Sequence, residues 1–359
     1  MIQNTEYPES FLRQIEVVGS SDISQEDSEK YWTEHKAGMT WGTQEALSNV
    51  WNPQDIAIFG AGKCNDIRLL EVMQRGSVKN IDLYDLDANG LEIAIGYVKS
   101  RINSIMPEAI NFANFNPVVA DVTFMLKNVF KKFNGIRSDF TSDFAPVGPG
   151  REQKLIEAIL KAIFGALDGR QIPEKQYDVV VSDCILSQIL AVFEIQIEKL
   201  RDDLLEKQEV SIGLWEDLER DVHGVITKDH FDVLSQMTKP NGAVFVASDS
   251  TLLYRGKVSK AHFELLQAME EKGDLPQEER IRDFGGDYVV EELMIPRFKC
   301  MDGDIARMAE KHMPDFEIVE SRKWEWNRDP HELQKDGCVF GAEEVQGVVL
   351  KRLLTKTRN

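Results

Sequence analysis

Residues 56–66 of this 359-residue chain read Ile-Ala-Ile-Phe-Gly-Ala-Gly-Lys-Cys-Asn-Asp. The apolar start is typical of a buried strand, and Gly60-Ala61-Gly62 forms a glycine-rich turn. A second strand-like run begins about 20 residues later and ends in Asp85-Leu86-Asp87. Glycines let the backbone approach a ligand, and an acid at this distance accepts hydrogen bonds from ribose hydroxyls. The pattern therefore predicts an open α/β sheet that binds an adenosine-containing cofactor.

Strand-like runs continue to alternate with helical segments along the chain. The strands expected from the sequence are 55–60, 79–84, 116–120, 177–182 and 243–247, followed by an antiparallel pair over 316–324 and 345–350. The predicted fold class is therefore α/β, with a doubly wound, mostly parallel, Rossmann-like sheet and an antiparallel last strand.

Some segments depart from this alternation. Helical inserts are expected near 125–175 and 255–312, with a turn at Asn134-Gly135 in the first. The part between the helices expected near 258–272 and 302–312 is predicted to be irregular. Residues 1–50 are expected to form an N-terminal helical arm or lid, and 51–354 the main domain. The arm carries an aromatic group that can serve as a lid over the cofactor or as a hydrophobic anchor: Tyr31, Trp32, His35 and Trp41.

The composition limits the partners of the chain. Lys and Arg number 42 against 61 Asp and Glu, so the formal net charge is -19, and this surface disfavours nucleic acid. The cysteines (Cys64, Cys184, Cys300 and Cys338) form no C-x-x-C pair, so neither a zinc site nor a disulfide framework is predicted. No signal peptide and no apolar run of about 20 residues is found. We therefore expect a soluble, cytoplasmic protein with a small-molecule or protein partner and no metal.

Polar residues follow each of the five expected parallel strands. They are the glycine turn, Asp85 with Asp87, Asp121, Ser182-Asp183-Cys184 and Ser248-Asp249-Ser250. In a parallel sheet these ends meet at one edge, where ligands bind. Together with the terminal strand pair, this layout resembles the class I S-adenosylmethionine-dependent methyltransferases over roughly residues 50–353. The turn also resembles a bacterial subgroup that reads G-A-G-x-C-N-D.

The resemblance implies a cofactor, a reaction and a set of contacts. S-adenosylmethionine would donate a methyl group to a small-molecule or protein acceptor by direct displacement. Asp85 would hold the ribose, with Asp87 as the competing candidate, and Asp121 would accept from the adenine amino group. The other cofactor contacts implied are Gly60, Ala61 and Gly62 at the methionine part, Asn65 and Asp66 at its amino group, Leu86, Val122 beside the adenine, and Ser182, Asp183 and Cys184 at the border of the methionine end and the substrate.

The sequence also departs from the family pattern. Ile58 stands where an acidic residue is usual, and Cys64 replaces the third glycine of the loop. Ser182-Asp183-Cys184-Ile185 is not the Asp/Asn-Pro-Pro-aromatic tetrapeptide of enzymes that methylate exocyclic nucleobase amines. The sequence therefore gives no support for a base-modifying activity.

Two other functions are also compatible with an apolar strand that is followed by a glycine turn and, about 20 residues later, by an acid. A NAD-dependent oxidoreductase would use G-x-G-x-x-G, but the sixth position here is Asn65. A methyltransferase-like regulatory module would hold the cofactor without methylating an acceptor.

Several residues have a structural interpretation beside the functional one. Asp85 and Asp87 can cap the following helix, and Asp121 can form a turn before Thr123. His223 and His230 are candidate general bases, or else helix-capping or surface histidines.

Overall fold

The computed structural model describes residues 28–29, 32–73, 77–105, 113–141, 150–205, 211–272, 279–283, 288–296, 304–326 and 340–353. The helices are α1 (Thr33–Ser48), α2 (Leu69–Met73), α3 (Ala88–Ile105), α4 (Leu126–Thr141), α5 (Arg151–Leu167), α6 (Ile185–Leu204), α7 (Ile212–Met237), α8 (Lys260–Lys272) and α9 (Ile305–His312). The strands are β1 (Asp55–Phe59), β2 (Asn80–Asp85), β3 (Asn114–Val119), β4 (Tyr177–Asp183), β5 (Thr238–Lys257), β6 (Glu279–Asp283), β7 (Tyr288–Pro296), β8 (Phe316–Trp326) and β9 (Phe340–Arg352).

Five strands form the parallel part of the sheet, in the order β3-β2-β1-β4-β5. The centres of β1 and β4 are continuous apolar runs that are fully buried, as parallel strands covered on both faces require. Phe59 pairs with Tyr84 on one side and with Ser182 on the other, and Ser182 pairs with Val246. The register therefore brings the carboxyl ends of these strands to one edge.

The terminal strands reverse direction. β9 pairs antiparallel with β5, and β8 pairs antiparallel with β9, so β8 runs parallel to β5 on the outside of β9. This arrangement confirms the predicted antiparallel pair and the predicted fold class.

The sheet separates two hydrophobic cores. Successive side chains of a strand point to opposite faces, so Val180 faces one core and Val179 and Val181 face the other. Helices α4, α5, α6, α7 and α9 cover the first face, and α1, α2 and α3 cover the second. The sheet is therefore doubly wound, as predicted.

The part expected to be irregular contains two strands, so that prediction is wrong for residues 279–283 and 288–296. The far half of β5 extends beyond the end of β4 and pairs antiparallel with β7, which pairs in turn with β6. Val289 and Val290 favour a strand, and the extended edge of β5 supplies the pairing that the sequence does not reveal. Gly285-Gly286 and Cys300 lie outside the described residues.

The turn expected at Asn134-Gly135 is also wrong, because α4 passes through both residues. Val129, Phe133 and Ile136 lie on the buried side of this helix. Packing of this face outweighs the cost of about 1 kcal/mol for a glycine inside a helix. Asn134 and Gly135 lie on the exposed side.

Helix α1 packs directly on the second face of the sheet. Gly38 lies against the Trp324 ring and Gly42 against the Phe245 ring, so the helix approaches β8 and β5 closely. This packing supports the anchor interpretation for residues 33–48. Tyr31 and residues 1–27 lie outside the described residues, and the domain boundary at residue 50 stays a prediction. In the part of the chain that the structure describes, every helix is too short or too polar to cross a membrane.

Candidate functional site

The loop after β1 passes between the ends of β2 and β4. The backbone N–H groups of Gly60 and Ala61 donate to the Tyr84 carbonyl oxygen at 3.0 and 3.2 Å. Gly60 has a φ of 75°, and a Cβ atom there would lie 2.7 Å from the Asp183 carbonyl oxygen. Only glycine fits this close approach without strain. The loop therefore presents backbone, rather than side chains, at the edge of the sheet.

Asp85 at the end of β2 binds this loop. Its Oδ2 accepts from the Gly62 N–H at 2.9 Å, and its Oδ1 accepts from the Asp87 N–H at 2.8 Å. Burial raises the pKa of the Asp85 carboxyl, and these two hydrogen bonds act against that shift. The predicted ribose acid and the predicted methionine loop are therefore in direct contact.

Asp87 and Leu86 occupy different surroundings from Asp85. The Asp87 carbonyl oxygen accepts from the Leu91 N–H, and the Asp87 carboxylate lies against Gly90 in the first turn of α3. Leu86 is partly buried and packs against the first core. The geometry thus supports the helix-start interpretation for Asp87.

Asp121 holds the turn that leads into α4. Its Oδ1 accepts from the N–H and the hydroxyl of Thr123 at 2.9 and 2.7 Å, and its Oδ2 accepts from the Leu126 N–H at 2.6 Å. The structure thus shows the turn-forming role that the sequence left open. Val122 is buried in the first core. Contact of either residue with an adenine stays a prediction.

Asp183 at the end of β4 is a buried carboxylate without a partner. Its residue is 2% exposed, and neither carboxylate oxygen has a hydrogen-bond partner among the described residues. Burial raises its pKa well above the usual range, and the charges of Asp66 and Asp85 raise it further. Buried polar groups without partners are rare in proteins, so this carboxylate requires an explanation.

Asn65 and Asp66 continue the loop after the glycines. Asn65 is buried and Asp66 is partly buried. The carboxylate of Asp66 influences the pKa of both Asp183 and Cys64. The structure therefore brings Asp66, Asp85 and Asp183 to the same edge, as the sequence predicted.

Cys184 is buried where β4 passes into α6. It has a left-handed φ of 47°, and burial raises the pKa of its thiol well above the usual range, with carboxylate neighbours adding to the shift. The thiol is therefore neutral near pH 7 and is not an activated nucleophile.

His35 on α1, which the sequence placed only in the aromatic lid or anchor group, contacts the acidic edge directly. Its Nδ1 accepts from the Trp324 Nε1–H at 3.0 Å, and its ring stacks on Trp326 with centroids 4.2 Å apart. A ring nitrogen of His35, a carboxylate oxygen of Asp183 and the Cys184 Sγ all lie within 4.8 Å of one another. Residues 35 and 324 are 289 positions apart, so no local signal links them.

These three groups do not fit a metal ion. Burial, with a smaller contribution from Lys36, lowers the pKa of His35 to about 3, so the ring is neutral near pH 7. A neutral imidazole carries one proton, and because Nδ1 accepts from Trp324 that proton is on Nε2. Nδ1 therefore already accepts a hydrogen bond and Nε2 is a donor, whereas a metal ligand needs a free lone pair.

The two histidines named as candidate general bases are buried inside α7, so the helix-capping or surface interpretation is wrong, and a role as general base stays a prediction. His230 Nε2 is 2.8 Å from the Ser182 hydroxyl, and burial lowers the pKa of His230 to about 4. Ser182 faces the opposite side of β4 from Asp183, because neighbouring side chains of a strand alternate. His223 Nε2 is 2.8 Å from Glu194 Oε1, between α7 and α6. Both rings are fully buried because this side of α7 packs on the sheet.

Two further carboxylates approach the same edge from β5 and β9. Asp249 and Glu343 are 2% and 3% exposed, and both contribute to the raised pKa of Cys184. Ser187 on α6 donates to Asp249 Oδ1. The sequence placed Asp249 directly after a strand ending at residue 247, which is wrong, because β5 continues to Lys257 and Asp249 lies within it. Glu343 is placed here only by the pairing of β9 with β5.

No protein-family model matches this chain, and no curated protein matches it in sequence. Solved structures similar to it include S-adenosylmethionine-dependent methyltransferases. One from Clostridium acetobutylicum is 9% identical, covers 96% of this chain and 98% of its own, and has a TM-score of 0.38. One from Methanosarcina mazei is 10% identical over 86% and 96% of the two chains, with a TM-score of 0.35. The N-methyltransferase NodS of Bradyrhizobium japonicum is 8% identical over 88% and 95%, with a TM-score of 0.34. At these identities and TM-scores the similarity does not indicate what this chain binds.

Proposed function

We propose that this chain transfers a methyl group from S-adenosylmethionine to a small-molecule or protein acceptor. The observation that carries the proposal is the contact between the Gly62 N–H and the Asp85 carboxylate. It joins the loop and the acid that the family resemblance assigns to the methionine part and the ribose. The G-A-G-K-C-N-D sequence of the loop supports placement in the bacterial subgroup that shares this pattern.

The residues at the edge suit the charge of this cofactor. S-adenosylmethionine carries an ammonium and a sulfonium group, and the edge carries the carboxylates of Asp66, Asp85 and Asp183. In our proposal Gly60, Ala61 and Gly62 line the methionine part, and Asp66 faces its ammonium group. Asp85 holds the ribose, and Asp121 with Val122 borders the adenine.

The same charges disfavour the oxidoreductase. A dinucleotide places an anionic pyrophosphate at the loop, where carboxylates would repel it at short range. Pyrophosphate binding also uses a helix that begins directly at the glycine turn. Here α2 begins only at Leu69 and has five residues.

The bound cofactor supplies an electrophilic methyl carbon, and the protein mainly aligns the acceptor and excludes water. A general base is needed only for an acceptor that enters protonated. The net charge of -19 favours a small molecule or a protein over nucleic acid as acceptor. Cys64 and Cys184 are free thiols, which fits the reducing cytoplasm that we propose as the location.

Calorimetric titration of the protein with S-adenosylmethionine, S-adenosylhomocysteine and NAD tests the proposal. We expect the first two to bind with a Kd of about 1–100 μM and NAD to give no heat of binding. Binding of NAD alone, or of none of the three, would contradict the proposal. Binding of both adenosyl compounds without transfer to any acceptor would instead support the regulatory module.

A further inference from the structure

The carboxylate of Asp183 is the strongest sign of a ligand that the cofactor does not account for. It is 2% exposed, and both of its oxygens lack hydrogen-bond partners among the described residues. Burying a carboxylate without hydrogen-bond partners strongly destabilises the folded state, unless a ligand supplies the missing partners. Such groups persist mainly at functional sites.

Asp183 belongs to an acidic cluster formed by four separate elements. The cluster consists of Asp66 from the loop after β1, Asp183 from β4, Asp249 from β5 and Glu343 from β9, all of which raise the pKa of the buried Cys184 thiol. Since the acids come from separate elements of the chain, their approach is a property of the tertiary fold.

No neighbouring imidazole neutralises this cluster. His35 Nε2 is 3.9 Å from Asp66 Oδ1 and a ring nitrogen of His35 is close to Asp183, but the ring is neutral near pH 7. It can donate one hydrogen bond and supplies no positive charge. Because Nε2 carries the proton, this trio also does not provide a metal site.

The cofactor alone accounts for only part of the negative charge. In the proposed function, on which this inference rests, Asp66 faces the methionine ammonium and Asp85 holds the ribose. The backbone of Asp183 lies against the glycine loop, because its carbonyl oxygen would be 2.7 Å from a Cβ atom on Gly60. The carboxylates of Asp183, Asp249 and Glu343 all act on the neighbouring Cys184 thiol. Asp183 is therefore the acid that we place between cofactor and acceptor.

We propose that the acceptor is a protonated amine, held by the carboxylate of Asp183, which lacks a hydrogen-bond partner among the described residues, in the acidic cluster that also contains Asp249 and Glu343. The ammonium group supplies the hydrogen-bond donors and the positive charge that this carboxylate lacks. The interaction is charge-assisted and is therefore stronger than one with a neutral hydroxyl.

Asp183 has a chemical role as well as a binding role. The amine gives one proton to a carboxylate oxygen of Asp183, which frees the nitrogen lone pair. The lone pair forms the bond to the methyl carbon as the carbon–sulfur bond breaks, and that electron pair stays on sulfur in S-adenosylhomocysteine. The product leaves as a methylated ammonium ion, and the proton on Asp183 passes to water. The raised pKa of this buried carboxyl suits it to accept the proton near neutral pH.

The test uses n-butylamine, its uncharged analogue n-butanol and its anionic analogue butyrate as probes. Each is titrated into the full-length protein saturated with S-adenosylhomocysteine. We expect n-butylamine to bind about tenfold or more tightly than n-butanol, and butyrate not to bind. Equal binding of n-butylamine and n-butanol would overturn the inference, and this comparison needs no variant.

The variant Asp183→Asn keeps the shape of the side chain and removes its charge. We expect it to weaken n-butylamine binding about tenfold or more while the Kd for S-adenosylhomocysteine changes less than about threefold. Glu194→Gln is the matched control, because Glu194 pairs with His223 away from the cluster, and it should change neither value.

Other outcomes separate this inference from the proposed function. If Asp183→Asn abolishes S-adenosylhomocysteine binding and spares n-butylamine, Asp183 holds the methionine ammonium, and the inference fails while the proposed function stands. If wild type binds Zn²⁺ and Asp183→Asn does not, the cluster is a metal site and the inference also fails. If S-adenosylhomocysteine never binds but n-butylamine does, the proposed function fails and the amine site remains.

Discussion

Two carboxylates, at the ends of β2 and β4 on either side of β1, differ in how the fold satisfies them. Asp85 accepts two backbone N–H groups, from Gly62 and Asp87, whereas Asp183 accepts none among the described residues. Both are buried enough to raise their pKa. Backbone hydrogen bonds therefore fix the Asp85 carboxylate in the absence of a ligand, whereas in our proposal a ligand supplies the hydrogen-bond partners of Asp183.

Replacing Asp85 by Ala should weaken binding of S-adenosylhomocysteine by about 1–3 kcal/mol, since the ribose hydroxyls lose their acceptor in a buried site. The two N–H groups that now bind Asp85 would also lose their acceptor. Calorimetry on the variant measures the change in Kd. Asp87→Ala serves as the control and should have a smaller effect, because Asp87 packs on α3. The reverse ranking would move the ribose to Asp87.

Replacing Asp183 by Asn should stabilise the free protein by about 1–3 kcal/mol near pH 7, because a charge without a partner is removed from the interior. Burial keeps the folded pKa of Asp183 well above the usual aspartate pKa of 3.8. The wild-type carboxyl therefore destabilises the folded state least below about pH 3.8. This destabilisation grows as the pH rises toward the folded pKa.

The stabilisation by Asp183→Asn should consequently shrink as the pH falls from about 7 to about 4. Urea unfolding of wild type and variant at several pH values measures it. A variant that is less stable than wild type at pH 7 would show that Asp183 already has a stabilising partner.

For single residues, the sequence predicted which strands are followed by acids but not which hydrogen bonds each acid accepts. Asp85, Asp121 and Asp183 look equivalent in a strand-end pattern. Their difference lies in which backbone N–H groups reach them, and that depends on loop geometry. The sequence did not place His35 at the acidic edge, because Trp324 and Trp326 orient it from the far end of the chain.

Among the structural elements, the glycine loop makes the strictest demand on backbone geometry. Gly60→Ala would place a Cβ atom 2.7 Å from the Asp183 carbonyl oxygen and 3.1 Å from Ile185 Cβ, at a φ of 75°. We expect a loss of about 1–3 kcal/mol in the free energy of unfolding, and weaker cofactor binding.

Gly96→Ala is the matched control for the loop substitution. Gly96 lies in α3 and has nothing within 4 Å of an added Cβ, so this change should stabilise the helix by about 0.5–1 kcal/mol. If Gly60→Ala were as well tolerated as Gly96→Ala, the loop would not have the geometry described.

Helix α1 provides a second test at the scale of elements. Gly42→Ala would place a Cβ atom 2.1 Å from the ring of Phe245, which is fully buried in β5. Overpacking of this kind should lower the free energy of unfolding by about 1–3 kcal/mol. Gly135→Ala on the open side of α4 is the control and should not destabilise. An unchanged stability for Gly42→Ala would mean that α1 does not pack on the sheet as described.

The sequence predicted elements well where their apolar pattern is local. Strands β1, β2 and β4 and helices α6 and α7 follow from uninterrupted runs or a clear helical period. Helix α4 falls inside the helical insert expected near 125–175, but its continuation through Asn134-Gly135 was not predicted, because this pair has turn composition although the buried face of the helix continues past it. Strands β6 and β7 were missed because their pairing depends on the extension of β5, which is a tertiary feature.

For the whole molecule, charge and topology point to the same edge of the sheet. The parallel register brings five strand ends together, and β9, paired with β5, adds Glu343 to the acids already there. The negative surface disfavours nucleic acid, while the acidic cluster favours a cationic ligand. Composition alone predicted that nucleic acid is disfavoured, whereas the acidic cluster could be recognised only in the folded structure.

A crystal structure of the protein with bound S-adenosylhomocysteine tests the central claim most directly. The account predicts ribose hydroxyls within hydrogen-bond distance of the Asp85 carboxylate and the homocysteine part along Gly60-Ala61-Gly62. An adenosine bound away from Asp85, or a ligand at another edge of the sheet, would contradict it.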